Sequence, residues 1–225
     1  MRRIFRQEEL KILACLTMLI DHIGAVLFPE LLTLRLIGRM AFPLYGFLLM
    51  QGVRYTSNRL NYGIRLALGM ILAELPFDFT FYGGLTWYHQ SVMVTLFLAY
   101  LMLVWMKHSN PVLPLVVCFV LAELAACDYG GLGIAMIWMF AVTEQEKWCW
   151  TTRIVGLFVI FSQIPSMKIP IADISVSIQL AAMIALIPMA LYSGGKKSSS
   201  KWSQLLFYLF YPAHLAILYW VAMIL

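Results

Sequence analysis

The sequence predicts an all-α, polytopic integral membrane bundle of about nine transmembrane helices with its N-terminus in the cytoplasm. Three observations predict it. The composition is 62% hydrophobic and 12% charged, whereas soluble domains carry about 25% charged residues, and the mean hydropathy is +0.84. Apolar runs recur along the whole chain at lengths near the roughly 20 residues that cross a hydrocarbon core of about 30 Å. Basic residues alternate between connecting segments as cytoplasmic bias requires.

The apolar runs, taken in order, are 10–28, 34–51, 62–81, 91–106, 112–127, 130–142, 154–164, 174–191 and 204–224. The runs 130–142 and 154–164 are short, so they are expected to extend into their flanks, tilt or re-enter. Arg2, Arg3 and Arg6 precede the first run as in a signal peptide. That run is too long and lacks a small-x-small exit, so it reads as a retained span. With the N-terminus inside, cytoplasmic segments collect Arg2, Arg3, Arg6, Lys11, Arg54, Arg59, Arg65, Lys107, Lys147, Arg153, Lys196, Lys197 and Lys201. The outer side receives only Arg35, Arg39 and Lys168. The net charge of +5 is therefore an inner-face bias, and nucleic acid is not an expected partner. The polar stretch 193–203 reads as a flexible loop, and no soluble domain interrupts the chain, which is taken as one domain over 1–225. Cys15, Cys118, Cys127 and Cys149 lack metal-type spacing and read as small apolar packing residues, so no metal is expected.

Function is sought where charge is out of place. An ionisable group in a membrane span costs about 2.5–3.5 kcal/mol on insertion scales and marks a functional site by default. The first run carries Asp21 and His22 side by side, with His22 about 18 Å along the helix from residue 10. The third run carries Glu74 and Asp78, four residues apart on one helical face with Pro76 between them, at which the helix is expected to break or kink. The fifth carries Glu123, and the last carries His214 two residues after Pro212. All lie between mid-membrane and the outer interface, and Arg35 and Arg39 start the second run on that side, placed to pair with some of them. Such a set at one depth is expected to form one polar cavity. Asp21 and His22 diverge by about 100° on a helix, so a carboxylate orienting His22 is expected from Glu74 or Asp78. A neutral histidine so held is a general base near pH 7, and Arg35 or Arg39 would stabilise an oxyanion or an anionic donor. Against these stand plainer readings: His22 as a structural histidine, His214 as a donor to a carbonyl freed by Pro212, and the carboxylates as a proton or cation path.

The segments LKILACLTMLIDHIGAVLFP, LRLIGRMAFPLYGFLLMQGVRYTSN, YGIRLALGMILAELPFDFTF and LLFYLFYPAHLAIL together resemble the TraX family, which is related to multi-span membrane acyltransferases. Its named member N-acetylates the amino terminus of a conjugative pilin. The resemblance covers the first three runs and the last, and matches Asp21 and His22 to DHIG, Arg39 to IGR, Glu74 and Asp78 to ELPFD, and His214 to YPxHL. Gln51 stands where a glutamate is expected. The resemblance implies a multi-pass plasma (inner) membrane acetyltransferase. Acetyl-CoA is the acyl donor, contacted by Arg39 and Arg35. Asp21, His22, Glu74, Asp78 and His214 form the catalytic group, with membrane lipids as surroundings and the acceptor an open choice of protein N-terminus, sugar or small molecule. Two rival expectations come from other classes: a proton-coupled permease using the same acids and histidines as a relay, and a structural assembly subunit that tolerates their loss.

Overall fold

The computed structural model describes residues 5–144, 149–171, 174–194 and 201–225. Of the residues in the orientation argument, Arg2, Arg3, Lys147, Lys196 and Lys197 lie outside this set. The chain is helical nearly throughout, in the order α1 (Gln7–Val26), α2 (Leu32–Gly38), α3 (Ala41–Tyr55), α4 (Arg59–Tyr82), α5 (Val92–Trp105), α6 (Val112–Leu124), α7 (Gly130–Val142) and α8 (Cys149–Gln163). A two-stranded antiparallel ribbon follows, β1 (Lys168–Ile171) with β2 (Ile174–Ser177), in register Lys168 to Ser177. A 3-10 helix (Ile178–Ala185), α9 (Leu186–Ala190) and α10 (Lys201–Ile224) complete it. The helices divide into two compact units, Met1–Leu48 with Val142–Lys197, and Leu49–Ala141 with Ser198–Leu225.

In the first unit, α1 is a capped amphipathic helix. The Glu9 carboxylate accepts from the Arg6 backbone N–H at 2.8 Å, closing the first turn. Leu10, Ala14, Thr17, Asp21 and Gly24 are buried at helical spacing, one continuous stripe, so Asp21 extends the packed face of α1. α1 packs along α2, and both α2 and α8 pack on the 3-10 helix. The Phe5 N–H donates to the Leu191 carbonyl and the Ser193 N–H to the Phe5 carbonyl, on either side of a parallel bridge between Phe5 and Tyr192. Leu10, Ala14, Leu44, Leu157, Phe161, Ala182 and Ala185 form its fully buried core.

In the second unit, α4 packs against α5 and α10, and α5 against α6. The Asn58 side chain caps α4 by accepting from Asn61 N, and Gly83, at φ 72°, ends it in the left-handed conformation. The helix runs unbroken through Pro76, so of the break or kink expected there the break does not occur. Thr80 Oγ1 lies 2.6 Å from the Pro76 carbonyl and 3.1 Å from the Leu215 carbonyl of α10, tying this part of α4 to α10.

The all-helical expectation holds apart from the ribbon. Among the described residues two helical segments, Leu32–Tyr55 and Leu205–Ile224, are long and apolar enough to cross a membrane, which leaves the expected count of about nine spans an expectation. The expected run 34–51 is two helices separated by a turn at Arg39–Met40, and 154–164 extends to Cys149–Gln163. The expected helix 174–191 is corrected. It opens as strand β2, where Ile174 and Val176 alternate with serines in the period of a strand. It then tightens into 3-10 turns and ends in a five-residue helix containing Pro188. Large apolar side chains stay exposed on Ile64, Leu68, Ile71, Leu72 and Leu75 of α4, on Val116, Val120 and Leu121 of α6, and on Ile154, Val155, Phe158 and Val159 of α8. Uninterrupted apolar faces of this kind suit lipid rather than water.

Candidate functional site

The first unit gathers charge around Asp21. Arg35 and Arg39 lie four residues apart at the end of α2 and therefore project from one side of it. Arg35 Nη1 and Arg39 Nη2 both donate to Asp21 Oδ2, at 2.7 and 2.5 Å. Arg35 Nη1 also donates to the Asp21 carbonyl at 3.1 Å. It thereby brings positive charge to the last turns of α1, which has no basic residue of its own there. Two glycines permit this approach. A Cβ on Gly24 would stand 2.7 Å from the Leu34 Cβ, and a Cβ on Gly38 would occupy the space of the Asp21 Cβ, Cγ and Oδ1. The DHIG and IGR motifs thus work as one device. Their glycines bring α1 and α2 into contact, and their charged residues meet across that contact.

Two guanidinium groups share one carboxylate oxygen, and arginine stays protonated. Arg39 Nη1 donates onward to Gln179 Oε1 at 3.3 Å. Gln179 is buried in the 3-10 helix, where its backbone N–H donates to Ser177 Oγ at 3.1 Å. His22 follows Asp21 on α1, one step around the helix and partly exposed. The arrangement fixes two guanidinium groups on one carboxylate, donors of the kind that can hold an anion or a developing oxyanion.

Glu74, Asp78, Glu123 and His214 belong to the second unit. Glu74 accepts from the Ser91 backbone N–H at 3.2 Å and from Ser91 Oγ at 2.5 Å. Asp78 Oδ2 accepts from the Thr86 backbone N–H at 3.1 Å. Both carboxylates therefore hold the 83–91 loop against α4. Glu123 is exposed, and its Oε1 accepts from Gly131 N at 2.7 Å at the start of α7, the favoured place for a carboxylate at a helix N-terminus. His214 is buried on α10, stacked on Phe210, with Nδ1 2.7 Å from the Phe210 carbonyl. A carbonyl only accepts, so Nδ1 is the donor in that bond.

The 83–91 and 125–129 loops join in this unit. Gln90 and Cys127 form a parallel bridge, with Gln90 N donating to Ala126 O at 3.0 Å and Asp128 N to Gln90 O at 2.9 Å. Thr95 Oγ1 donates to the Asp128 carbonyl. His89 Nε2 lies 3.8 Å from Asp128 Oδ1. Asp128 holds the His89 imidazole above its ordinary pKa, partial burial works against it, and Glu74 adds to the rise.

Sequence reasoning passed over Gln179, Ser91 and the true setting of Arg153. The last was assigned to a cytoplasmic segment, with no partner foreseen. It is buried on α8, with Nη2 2.7 Å from Glu144 Oε2 and Nε 3.2 Å from Thr143 Oγ1, and its guanidinium lies over the Trp150 ring at 5.2 Å. The available signal for Gln179 was a single amide within an otherwise apolar run.

A family model described as TraX protein matches residues 6–222. The chain is 29% identical, over an alignment of 240 residues, to the probable fimbrial assembly protein FimC, serogroup H1, of Dichelobacter nodosus, covering 95% of this chain and 94% of that protein. It is 27% identical over 149 residues to an uncharacterized protein of Rickettsia prowazekii (strain Madrid E), covering 63% of this chain and 57% of that one. No solved structure matches.

Proposed function

Since the chain belongs to the TraX family, we propose that it is a membrane-embedded acyltransferase that moves an acetyl group from acetyl-CoA to an amine or hydroxyl at the membrane or its outer face. The observation that carries this reading is the Asp21–Arg35–Arg39 cluster, in which Asp21 of the DHIG motif, next in sequence to His22, meets Arg39 of the IGR motif and Arg35 one turn before it. In the proposed reaction His22 takes the proton from the acceptor as its nitrogen or oxygen attacks the thioester carbonyl carbon. The carbon–sulfur bond then breaks and the leaving thiolate takes up a proton. Arg35 and Arg39 supply positive charge for the anionic donor and the oxyanion, and Asp21 positions both. Glu74, Asp78 and His214 join the reading as the second unit's ionisable group. There Glu74 and Asp78 set the 83–91 loop, and His214 donates from Nδ1 to the Phe210 carbonyl.

The relative from Dichelobacter nodosus bears a fimbrial-assembly name, and this supports a fimbrial or pilin subunit as the first acceptor to test. The experiment is mass spectrometry of acceptors after incubation of the purified chain with labelled acetyl-CoA and a panel of envelope amines and hydroxyls, a fimbrial subunit among them. Label appears on one acceptor with the native chain, and His22→Ala reduces transfer at least about 100-fold while expression is kept. Full transfer by His22→Ala removes His22 from the mechanism. No label on any acceptor, together with no thermal shift from acetyl-CoA, removes the acyltransferase reading.

A further inference from the structure

We propose that the basic end of the second unit binds an anionic lipid, whose headgroup phosphate bridges Arg59 and Lys107. This goes beyond the acyltransferase reading and does not depend on it.

Charge in this unit is sorted by position. Its carboxylate side chains are Glu74, Asp78, Glu123 and Asp128. They gather around the 83–91 and 125–129 loops, where Asp78 holds Thr86, Glu74 holds Ser91 and the Asp128 N–H donates to Gln90. Arg59 and Arg65 stand on the first turns of α4, and Lys107 lies just past the end of α5. Glu74 is about 22 Å from Arg59 along α4. The three cations are exposed, and among the described residues none of them forms an ion pair with a carboxylate.

The fold brings two of these cations together. Gly63 lets α5 approach α4, since a Cβ there would stand 2.6 Å from the Tyr100 ring. The Tyr100 hydroxyl donates to the Arg59 carbonyl at 2.6 Å. About two turns further on, Lys107 Nζ donates to the Val53 carbonyl in the last turn of α3 at 3.1 Å, so the ammonium is fixed in place. Partial burial and the Arg59 charge both hold the Lys107 pKa below the ordinary lysine value. Like charges held in this way, with no carboxylate between them, suit one anion that accepts from both.

The surroundings select a lipid as the source of that anion. Leu60, Ile64, Leu68, Ile71 and Leu75 form an exposed apolar row along α4 that starts beside Arg59. Tyr55 at the end of α3 and Trp105 at the end of α5 are partly exposed. Aromatic rings and cations at the end of a lipid-facing row stand at headgroup depth. A headgroup phosphate at that depth reaches exposed cations from the bilayer surface and needs no enclosed pocket.

The full chain is placed in nanodiscs of phosphatidylcholine alone and of an equal mixture of phosphatidylcholine and phosphatidylglycerol. Its thermal midpoint is measured, and its retained lipids are read by native mass spectrometry. The mixture raises the native midpoint by about 4 °C, and the native chain retains phosphatidylglycerol in preference to phosphatidylcholine. Arg59→Gln and Lys107→Gln each lose that rise and that preference. In phosphatidylcholine alone Arg59→Gln is no less stable than the native chain, since a repulsion is removed, which separates the loss from a folding defect. Arg6→Gln, which removes a cation of the first unit, keeps both the rise and the preference. Inorganic phosphate added to the phosphatidylcholine discs at constant ionic strength leaves the native midpoint unchanged. A rise with phosphate as large as with the lipid gives the site to a soluble anion and overturns the proposal. A rise of native size in Arg59→Gln and Lys107→Gln, or an equal loss in Arg6→Gln, makes the effect a general attraction to the charged surface and overturns it as well.

Discussion

Asp21 reaches its two arginines only because position 38 has no side chain. A Cβ there would fall on the Asp21 Cβ, Cγ and Oδ1, so Gly38→Ala must push the carboxylate off Arg35 and Arg39. Overpacking of a close contact costs about 1–3 kcal/mol. Gly38→Ala is therefore expected to lower the thermal midpoint in detergent clearly, whereas Gly84→Ala, with nothing within 4 Å of its added Cβ, stays within about 0.5 kcal/mol. Equal midpoints for the two variants would show that α1 and α2 are not held as described. At this scale the sequence was legible where charge stood in an apolar run, as at Asp21, Arg35 and Arg39. It was illegible where the decisive feature was an absence, as at Gly38, whose neighbour fourteen or more residues away cannot be inferred from a hydrogen atom. Gln179 escaped for a related reason. A neutral amide in an apolar stretch has no charge to advertise it, and its significance lies in which of its two ends Arg39 engages.

The elements read well where apolar periodicity is long and uninterrupted. α5 and α7 end within a residue of the sequence reading, and α1 starts earlier because Glu9 caps it. Reading failed where tertiary neighbours decide. Pro76 does not break α4, and the turn after it is tied to α10 through Thr80. The stretch from 174 becomes strand and 3-10 helix because Ile174–Ser177 finds a partner strand. The pairing of the 83–91 and 125–129 loops was also hidden, as it rests on backbone hydrogen bonds between Gln90, Ala126 and Asp128. His89 and Asp128 make that junction sensitive to pH. The His89 pKa is raised in the folded chain, so the protonated form favours folding. That contribution is fully present below the unfolded value of about 6.5 and is lost as pH rises through the higher folded value. The thermal midpoint should therefore decline as pH rises above about 6.5, and Asp128→Asn should flatten this decline. A decline of unchanged size in Asp128→Asn would detach it from the pair. The side chains are more than a third exposed, so the effect is small and weakens with salt.

At the scale of the whole chain, composition made the surroundings legible before any element was placed. A chain that is 62% hydrophobic has more apolar surface than its own core can cover. The structure leaves the excess on continuous helical faces rather than scattered. Leu68, Ile71, Leu72 and Leu75 follow one another along α4, and Ile154, Val155, Phe158 and Val159 along α8. The span count was less legible, because a helix of thirteen to fifteen residues such as α6 or α8 has the composition of a membrane helix without the length. Environment at single sites resolves what length cannot. Nitroxide labels placed at Leu72, Val120 and Phe158 face outward from three different helices, while Trp87 and Tyr88 are exposed on a loop. In lipid nanodiscs the three helix sites should be open to dissolved oxygen and closed to a water-soluble nickel chelate, and labels at Trp87 or Tyr88 should reverse that order. Nickel access at Phe158 equal to that at Tyr88 would place α8 in water. Its row of exposed apolar side chains would then need a protein partner to cover it, since an aqueous face of that size is not stable on its own.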